Sequence, residues 1–320
     1  NAGETNTATV DAVVAASKTA SPSAAAATIK VSLLNAAGSA VTAESFTAVI
    51  AGPGVLGSAA MAGAADNGSN ATGRALTVKN GDVVGVFADG NSGVATVTIS
   101  SAAGKVLATE TVTFYGAAAS LSASTTAKLS KNYLGVAETS TVTIVSYDAA
   151  GVARASAGTL TATPASTTIA TAAVNGDVVT FTGVAVGTTN VVTTDGTLSY
   201  TVPVTVTAKT AKTVTMSLSS ATYGPGELAT LTVTATDANG KPVADGARSL
   251  FGAAVVSNVA LNNATLPGTS VNLVDGKATY TFYTPVGSGT LLLTSREGSA
   301  TDNVIAGGTA ATISATTTIA

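Results

Sequence analysis

The stretch "LTVTATDANGKPVADG", residues 231–246, decides the fold: apolar and hydroxyl residues alternate until an Asp-Ala-Asn-Gly turn stops them. Period-two alternation closed by Asx and Gly is the pattern of a half-buried strand entering a tight turn. Its outline occurs three times, in "VSLLNAAGSAV" at 31–41, "VTIVSYDAAGVA" at 142–153 and "LTVTATDANGKPV" at 231–243. The alignment sets Asn35 with Gly38, Asp148 with Gly151, and Asp237 with Gly240. An Asx side chain can accept from the backbone two residues on, and Gly tolerates positive φ, so each turn reads as hairpin chemistry.

Two further elements follow each turn in the same order. One is "NGDVVGVF" at 80–87, "NGDVVTF" at 175–181 and "VDGKATYTF" at 274–282. The other is a glycine turn leading into an alternating strand, in "SGVATVTIS" from Ser92, "VGTTNVVTT" from Val186 and "VGSGTLLLTS" from Val286. The repeat is roughly 100 residues long, the size of an immunoglobulin-like sandwich. An all-β chain of tandem immunoglobulin-like β-sandwich domains is therefore expected, with domains 1–116, 117–208 and 209–320 divided at "FYGAAAS" and "VTAKTAKTV". The central domain has little sequence between its first turn and "NGDVV", and a truncated or irregular sandwich is expected there. Residues 7–21, "TATVDAVVAASKTAS", lie outside the repeat and read as a first strand, a short helix or a strand donated to a neighbouring subunit. The last segment, "ATISATTTIA", reads as a strand.

Composition fits thin sheets packed face to face. The 320 residues are only 10% charged and 4% aromatic, and they include no His, Cys or Trp. Small β-branched side chains must supply the core. Mean hydropathy is +0.44, yet no run of about 18 apolar residues is present, so no transmembrane segment is expected. The net charge of −3 comes from singly scattered charges, and nucleic acid is not an expected partner. Without cysteine, stability has to come from packing, repeats or neighbouring subunits. The chain starts at Asn1 with no signal-type segment, which reads as a processed chain or a piece of a longer one.

The segment "NAAGSAVTAESFTAVIAGPGVLG" resembles the start of a bacterial Ig-like domain of the invasin and intimin type, in which a D/N-x-x-G turn precedes a strand ending in G-P-G. "TDANGKPVADG" with "VDGKATYTFYTPVGSGTLLLTS" is similar to the same group, and "VAVGTTNVVTTDGTLSYTVPVTVTA" resembles the close of the related second bacterial Ig-like class. The resemblance touches all three repeats and implies tandem Ig-like domains of the kind found in bacterial surface-layer and cell-surface proteins.

Catalytic chemistry is largely excluded by residue type. Without His or Cys there is no Ser-His-Asp or Cys-His arrangement and no zinc site of usual composition. S-x-x-K and G-x-S-x-G do not occur. Paired carboxylates alone would serve a glycosidase, but the chain has six Glu and no Trp for a sugar platform. Gly52, Gly54 and Gly57 match G-x-G-x-x-G spacing, but Pro53 interrupts the loop and no acidic residue ends a second strand about 20 residues on. A sandwich turn is expected there, and the chain is not expected to be an enzyme or to carry an organic cofactor.

Ca²⁺ is the best-motivated small ligand, because loop carboxylates and carbonyls suit it and domain junctions can supply them from both sides. The candidate ligands are Asp66, Asn67, Asn70, Asp89, Asn91, Asp148 and Asp237, with further turn acids at Asp177, Asp245 and Asp275. The alternative is that these Asx residues simply form turns. Glycosylation sequons stand at Asn67, Asn70 and Asn263. The expected role is a structural subunit of an extracellular, self-assembling array at a bacterial cell surface, an S-layer lattice or surface filament. Its expected partners are copies of itself, with an envelope anchor or surface glycan as a further possibility. The alternatives are an adhesin or stalk binding a receptor or glycan, with "FYTPVG" near Tyr283 as its nearest candidate, and a phage decoration or tail protein.

Overall fold

The structure, a computed structural model, describes residues 14–30, 35, 37–39, 45–58, 70–79, 81–125, 129–261, 265–298 and 311–320. The regular elements among them are strands throughout, and none of the described residues forms a helix long and apolar enough to cross a membrane. The protein is all-β. The strands pair into sheets whose inner faces share cores.

The first pair of sheets comprises β1 (Val14–Ser17), β9 (Val106–Tyr115), β8 (Gly93–Ser101), β3 (Ser45–Ala51) and β6 (Ala75–Lys79), in that order, and β2 (Ala27–Lys30), β7 (Val83–Phe87), β4 (Val55–Ser58) and β5 (Asn70–Gly73). Phe46, Leu56, Val86, Ile99 and Phe114 meet in its core. The second pair comprises β10 (Ala118–Ala123), β12 (Thr139–Asp148), β15 (Val178–Gly183) and β14 (Ala170–Asn175), and β11 (Tyr133–Gly135), β17 (Ser199–Thr207), β16 (Gly187–Thr194) and β13 (Thr161–Pro164). The third comprises β18 (Thr213–Leu218), β20 (Leu228–Thr236) and β24 (Lys277–Tyr283), and β19 (Thr222–Tyr223), β26 (Thr312–Ile319), β25 (Gly289–Arg296) and β22 (Val256–Ser257), with a two-stranded ribbon of β21 (Gly246–Arg248) and β23 (Val271–Leu273). Leu231, Val233, Phe251, Phe282 and Leu293 meet in its core.

Of the two readings of the central sandwich, truncated or irregular, truncation does not hold, for it has two four-stranded sheets. The short interval after its first turn is enough for β13 and β14, which are only four and six residues long and pair antiparallel with β16 and β15 in the two different sheets. Val14–Ser17, inside the segment left open above, is a strand running parallel to Val112–Tyr115 of the same chain. The same device recurs, with β11 parallel to β17 and β19 parallel to β26. Each sandwich thus has a short early strand lying beside its own last strand.

Alternation in the sequence becomes two-facedness in the sheet. In β20, Ala229, Leu231, Val233 and Ala235 are buried while the threonines between them face outward. All six phenylalanines are buried, and two of them, Phe181 and Phe282, occupy the same place in the repeat, where the first sandwich has Val86.

Gly52, Pro53 and Gly54 of the G-x-G-x-x-G stretch form the turn between β3 and β4, and Gly57 lies within β4. Gly54 has φ +96°, and a Cβ there would come within 2.9 Å of the Phe114 ring and the Phe87 carbonyl. The Arg74 guanidinium donates to the carbonyl oxygens of Ile50 at 3.0 Å, Gly52 at 2.6 Å and Gly54 at 3.0 Å, closing the turn from inside.

The chain divides into two compact units, Asn1–Ser122 with Val145–Gly158, and Ala123–Ile144 with Thr159–Ala320. The second unit contains the third sandwich and most of the second.

Candidate functional site

The three repeated turns are built alike. Oδ1 of Asn35 accepts the N–H groups of Ala37 and Ser39, both at 2.9 Å. Oδ1 of Asp148 accepts those of Ala150 and Val152, both at 2.9 Å, and Oδ1 of Asp237 accepts those of Asn239 at 2.8 Å and Lys241 at 2.9 Å. Each turn also closes with the glycine N–H donating to the Asx carbonyl, at 2.9 Å for Gly38 and 3.0 Å for Gly151 and Gly240. The carboxylate or amide satisfies two backbone donors that the turn geometry would otherwise leave open.

Asp148 takes on more. Its Oδ2 accepts the N–H of Gly116 at 2.7 Å, and the Ser92 hydroxyl bonds to the same carboxylate. The Val152 N–H, with these other donors, holds the Asp148 carboxyl at about 2, below its ordinary 3.8. Asp89 lies in the loop before Ser92, where its Oδ1 accepts the Asn91 N–H at 3.0 Å. Burial pushes the Asp89 carboxyl up, but the N–H groups of Asn91 and Gly54 outweigh it and leave the carboxyl below its ordinary value. The fold therefore brings the Asp89–Asn91 loop to Asp148 through Ser92. Asp237 lies in the other compact unit. Asn70 begins β5, and Asp66, Asn67 and Asn263 lie outside the described residues. Among the described residues, no three His, Cys, Asp or Glu side chains gather closely enough to hold a metal ion.

A polar cluster joins the second and third sandwiches within the second unit. Asp245 is 5% exposed. Its Oδ2 accepts the N–H groups of Asn132 at 2.8 Å and Tyr133 at 3.2 Å, and its Oδ1 accepts that of Asp275 at 2.7 Å. Its own N–H donates to the Tyr133 carbonyl at 2.8 Å. The Asn132 side-chain amide donates to Asp275 Oδ1 at 2.9 Å. Asp275 can sit there because it and Gly276 form a two-residue hairpin turn, with φ of 54° and 68°.

Beside Asp245, Arg248 forms a two-pronged pair with Glu138, Nη1 to Oε1 at 2.6 Å and Nη2 to Oε2 at 3.0 Å. The remaining Arg248 donors reach the carbonyls of Ala244 at 2.9 Å and Asp245 at 2.7 Å. Lys131 Nζ completes the cluster at 2.7 Å from Glu138 Oε2. The Arg248 hydrogen bonds, helped by Lys131, hold the Glu138 carboxyl at about 2. Gly135 leaves the room this needs, because a Cβ at that position would come within 2.8 Å of both Glu138 and Lys209. A cavity of about 460 Å³ lies in the same unit, lined by Tyr133, Thr188, Thr205, Thr207, Asp237 and Lys241 among others.

Chemically, the cluster is a fastening. Its carboxylates accept from backbone amides and a guanidinium, charge-assisted bonds that are short and strong when partly buried. Asp245 and Asp275 were visible in the sequence as turn acids, whereas Glu138, Arg248 and Lys131 were not singled out. The available signal was scarcity, since in a chain only 10% charged every Glu and Arg is a candidate for a specific partner.

No protein-family model matches the sequence, and comparison with curated proteins gives no relative. Among solved structures, 89% of the chain aligns with 87% of FdeC, described as a broadly conserved Escherichia coli adhesin, at 20% identity and a TM-score of 0.28. The same share aligns with 41% of domains 4–9 of the surface layer protein SbsC, at 18% identity and a TM-score of 0.27. It also aligns with 55% of invasin, described as a bacterial integrin-binding protein, at 15% identity and a TM-score of 0.27. The chain spans most of the FdeC structure and about half of the other two. Invasin is one of the two proteins whose Ig-like domains its sequence segments resemble.

Proposed function

We propose that the chain is a structural subunit of an extracellular, self-assembling array at a bacterial cell surface, an S-layer lattice or surface filament. In this reading it is a tandem of three Ig-like modules divided near residues 116 and 208, and it catalyses no reaction. The observation that carries the reading is the Asp245 and Glu138–Arg248 fastening. Scarce ionisable groups are engaged in tying one module to the next, as a load-holding chain requires. The low charge supports it too, because surfaces poor in charge can approach copies of themselves without repulsion. Ca²⁺ at the Asx turns and glycans at the sequons are further parts of the proposal.

Negative-stain microscopy with light scattering tests the reading, in about 5 mM Ca²⁺ and again in excess chelator, a range set by the weak affinity of extracellular calcium modules. Sheets or filaments are expected, and their dissolution on chelation would assign Ca²⁺ a part in holding them. Monomers under both conditions would overturn the array. An adhesin is the second reading, favoured by Tyr283 and Val286, which are 46% and 79% exposed in "FYTPVG". It expects a monomer that binds immobilised glycans or cell-surface protein and loses that binding on Tyr283→Ser.

A further inference from the structure

We infer that the cavity between the sheet strands β11, β17 and β16 and the Asp237 turn binds a neutral pyranose sugar. The site lies wholly within the second unit and does not depend on the array reading.

Part of its wall is one row of side chains running across three strands. Tyr133 of β11 stands beside Thr205 of β17, and Thr205 stands opposite Thr188 of β16. Neighbours in register share a face of the sheet. Val204 and Val206 of β17 are buried in the core, so Thr205 and Thr207 lie on the other face, where Asp237, Asn239 and Lys241 of the third sandwich supply the rest of the polar wall. Thr188 is exposed and Val186 is 51% exposed, so the cavity opens to solvent at that edge.

Two observations point to a ligand. Asp237 is 5% exposed, its Oδ1 is taken by its own turn, and no hydrogen bond from the described residues engages its Oδ2. The equivalent Asp148 has both oxygens engaged, with Oδ2 accepting the Gly116 N–H and the Ser92 hydroxyl on the same carboxylate. The place of Ser92, just before the glycine that opens a strand, is held in the central domain by Val186, which precedes Gly187. The hydroxyl is lost, and a cavity of about 460 Å³ stands beside the carboxylate instead. The second observation is Thr207, which is 3% exposed in the wall of the same cavity and whose Oγ1 has no hydrogen-bond partner. Buried polar atoms left unpaired are costly, and a ligand that both donates and accepts offsets that cost.

The lining selects the class of ligand. Asp237 accepts, Lys241 donates, and the threonine hydroxyls and the Asn239 amide do both, with no net charge among them. Lys241 disfavours a bare cation there, and Asp237 disfavours a free anion. A pyranose answers this lining, because each of its hydroxyls donates and accepts and its C–H face suits the ring of Tyr133. The volume falls within the roughly 300–1,000 Å³ of small-molecule sites. Affinity in about the millimolar range is expected for one ring in an open cleft.

Saturation-transfer NMR on the full chain in excess chelator tests this, with glucose, galactose, N-acetylglucosamine and chitotriose as probes and glutamine as a zwitterionic control. A response from at least one sugar is expected. A monosaccharide response supports a free sugar as ligand, and a response from chitotriose alone supports a sugar within a linked chain. Asp237→Asn removes the Oδ2 acceptor but keeps the turn, since Asn35 closes the first turn through the N–H groups two and four residues on. It should weaken binding at least about tenfold, the worth of a hydrogen bond to a charged acceptor. Thr188→Tyr, at the exposed edge, should abolish binding by filling the cleft. Unfolding curves show whether each variant is folded, and Asp237→Asn carries the test if Thr188→Tyr is not.

No response from any of the sugars, or a response from glutamine in their place, overturns the inference. Sugar binding unchanged by Asp237→Asn overturns it as well, because the sugar then sits elsewhere. None of these outcomes touches the array reading, which stands or falls on the microscopy.

Discussion

The Asp245 carboxylate lies 2.8 Å from the backbone nitrogen of Asn132, a residue 113 positions earlier in the chain. One side chain thereby closes the start of β11 against the segment leading into β21. A buried carboxylate is costly unless its oxygens are satisfied, and here three backbone N–H groups satisfy them. The interaction is consequently asymmetric, modest when intact and expensive to break from one side.

Asp245→Ala orphans those three N–H groups and should destabilise the second unit by about 3 kcal/mol, read as a lower urea midpoint. Asp245→Asn, whose amide oxygen still accepts, should lose less. Equal midpoints for wild type and Asp245→Ala would show that the carboxylate does not hold the joint.

Acid should loosen the fastening before it unfolds the core. Glu138 folds with its carboxyl lowered from 4.5 to about 2, so its contribution is complete above about pH 4.5 and is lost as the pH falls toward 2. Discounted for solvent screening of a partly exposed pair, the loss is roughly 1–2 kcal/mol. Asp148, lowered from 3.8 to about 2, acts in the same direction in the first unit. Glu138→Gln should flatten the acid limb of a stability-versus-pH curve between pH 4.5 and 2, and a limb as steep as wild type would refute the assignment.

The repeated turns should respond alike to the same change. Asp148→Ala and Asp237→Ala each remove an acceptor of two N–H groups and should cost about 1–2 kcal/mol in thermal or urea unfolding. Gly240→Ala, at φ +71°, should cost about 1 kcal/mol through backbone strain alone. A neutral result at Gly240 would mean the turn relaxes to another conformation.

Phe181→Ala should be the most damaging single change in the central sandwich, at about 3–5 kcal/mol, because the side chain is fully buried and leaves a cavity. In the first sandwich, Arg74→Ala frees three carbonyls of the Gly-Pro-Gly turn and should cost about 2 kcal/mol. Unfolding curves followed by tyrosine fluorescence would measure both, and a cost under 1 kcal/mol at Phe181 would show that neighbouring strands collapse into the space.

What was legible in the sequence was whatever a few neighbouring residues decide. The turns at Asn35, Asp148 and Asp237 close through bonds two and four residues on, so their chemistry stood in the letters. The strands were legible because burial on one face imposes a period of two, as Leu231, Val233 and Ala235 show. The completeness of the central sandwich was not, since a short interval says little about how many strands an antiparallel sheet can fit into it.

Tertiary structure alone decided which distant residues meet. β1 lies parallel to β9 across nearly a whole repeat, and no local pattern marks that pairing. Glu138 and Arg248 are 110 residues apart, and the scarcity of charge marks each as a candidate for a partner without saying which, until the fold brings a carboxylate and a guanidinium to 2.6 Å. Periodicity and turn chemistry act over a few residues and so are written in the sequence. The fastening between modules depends on where two finished sandwiches place their loops, and that follows only from the folded chain.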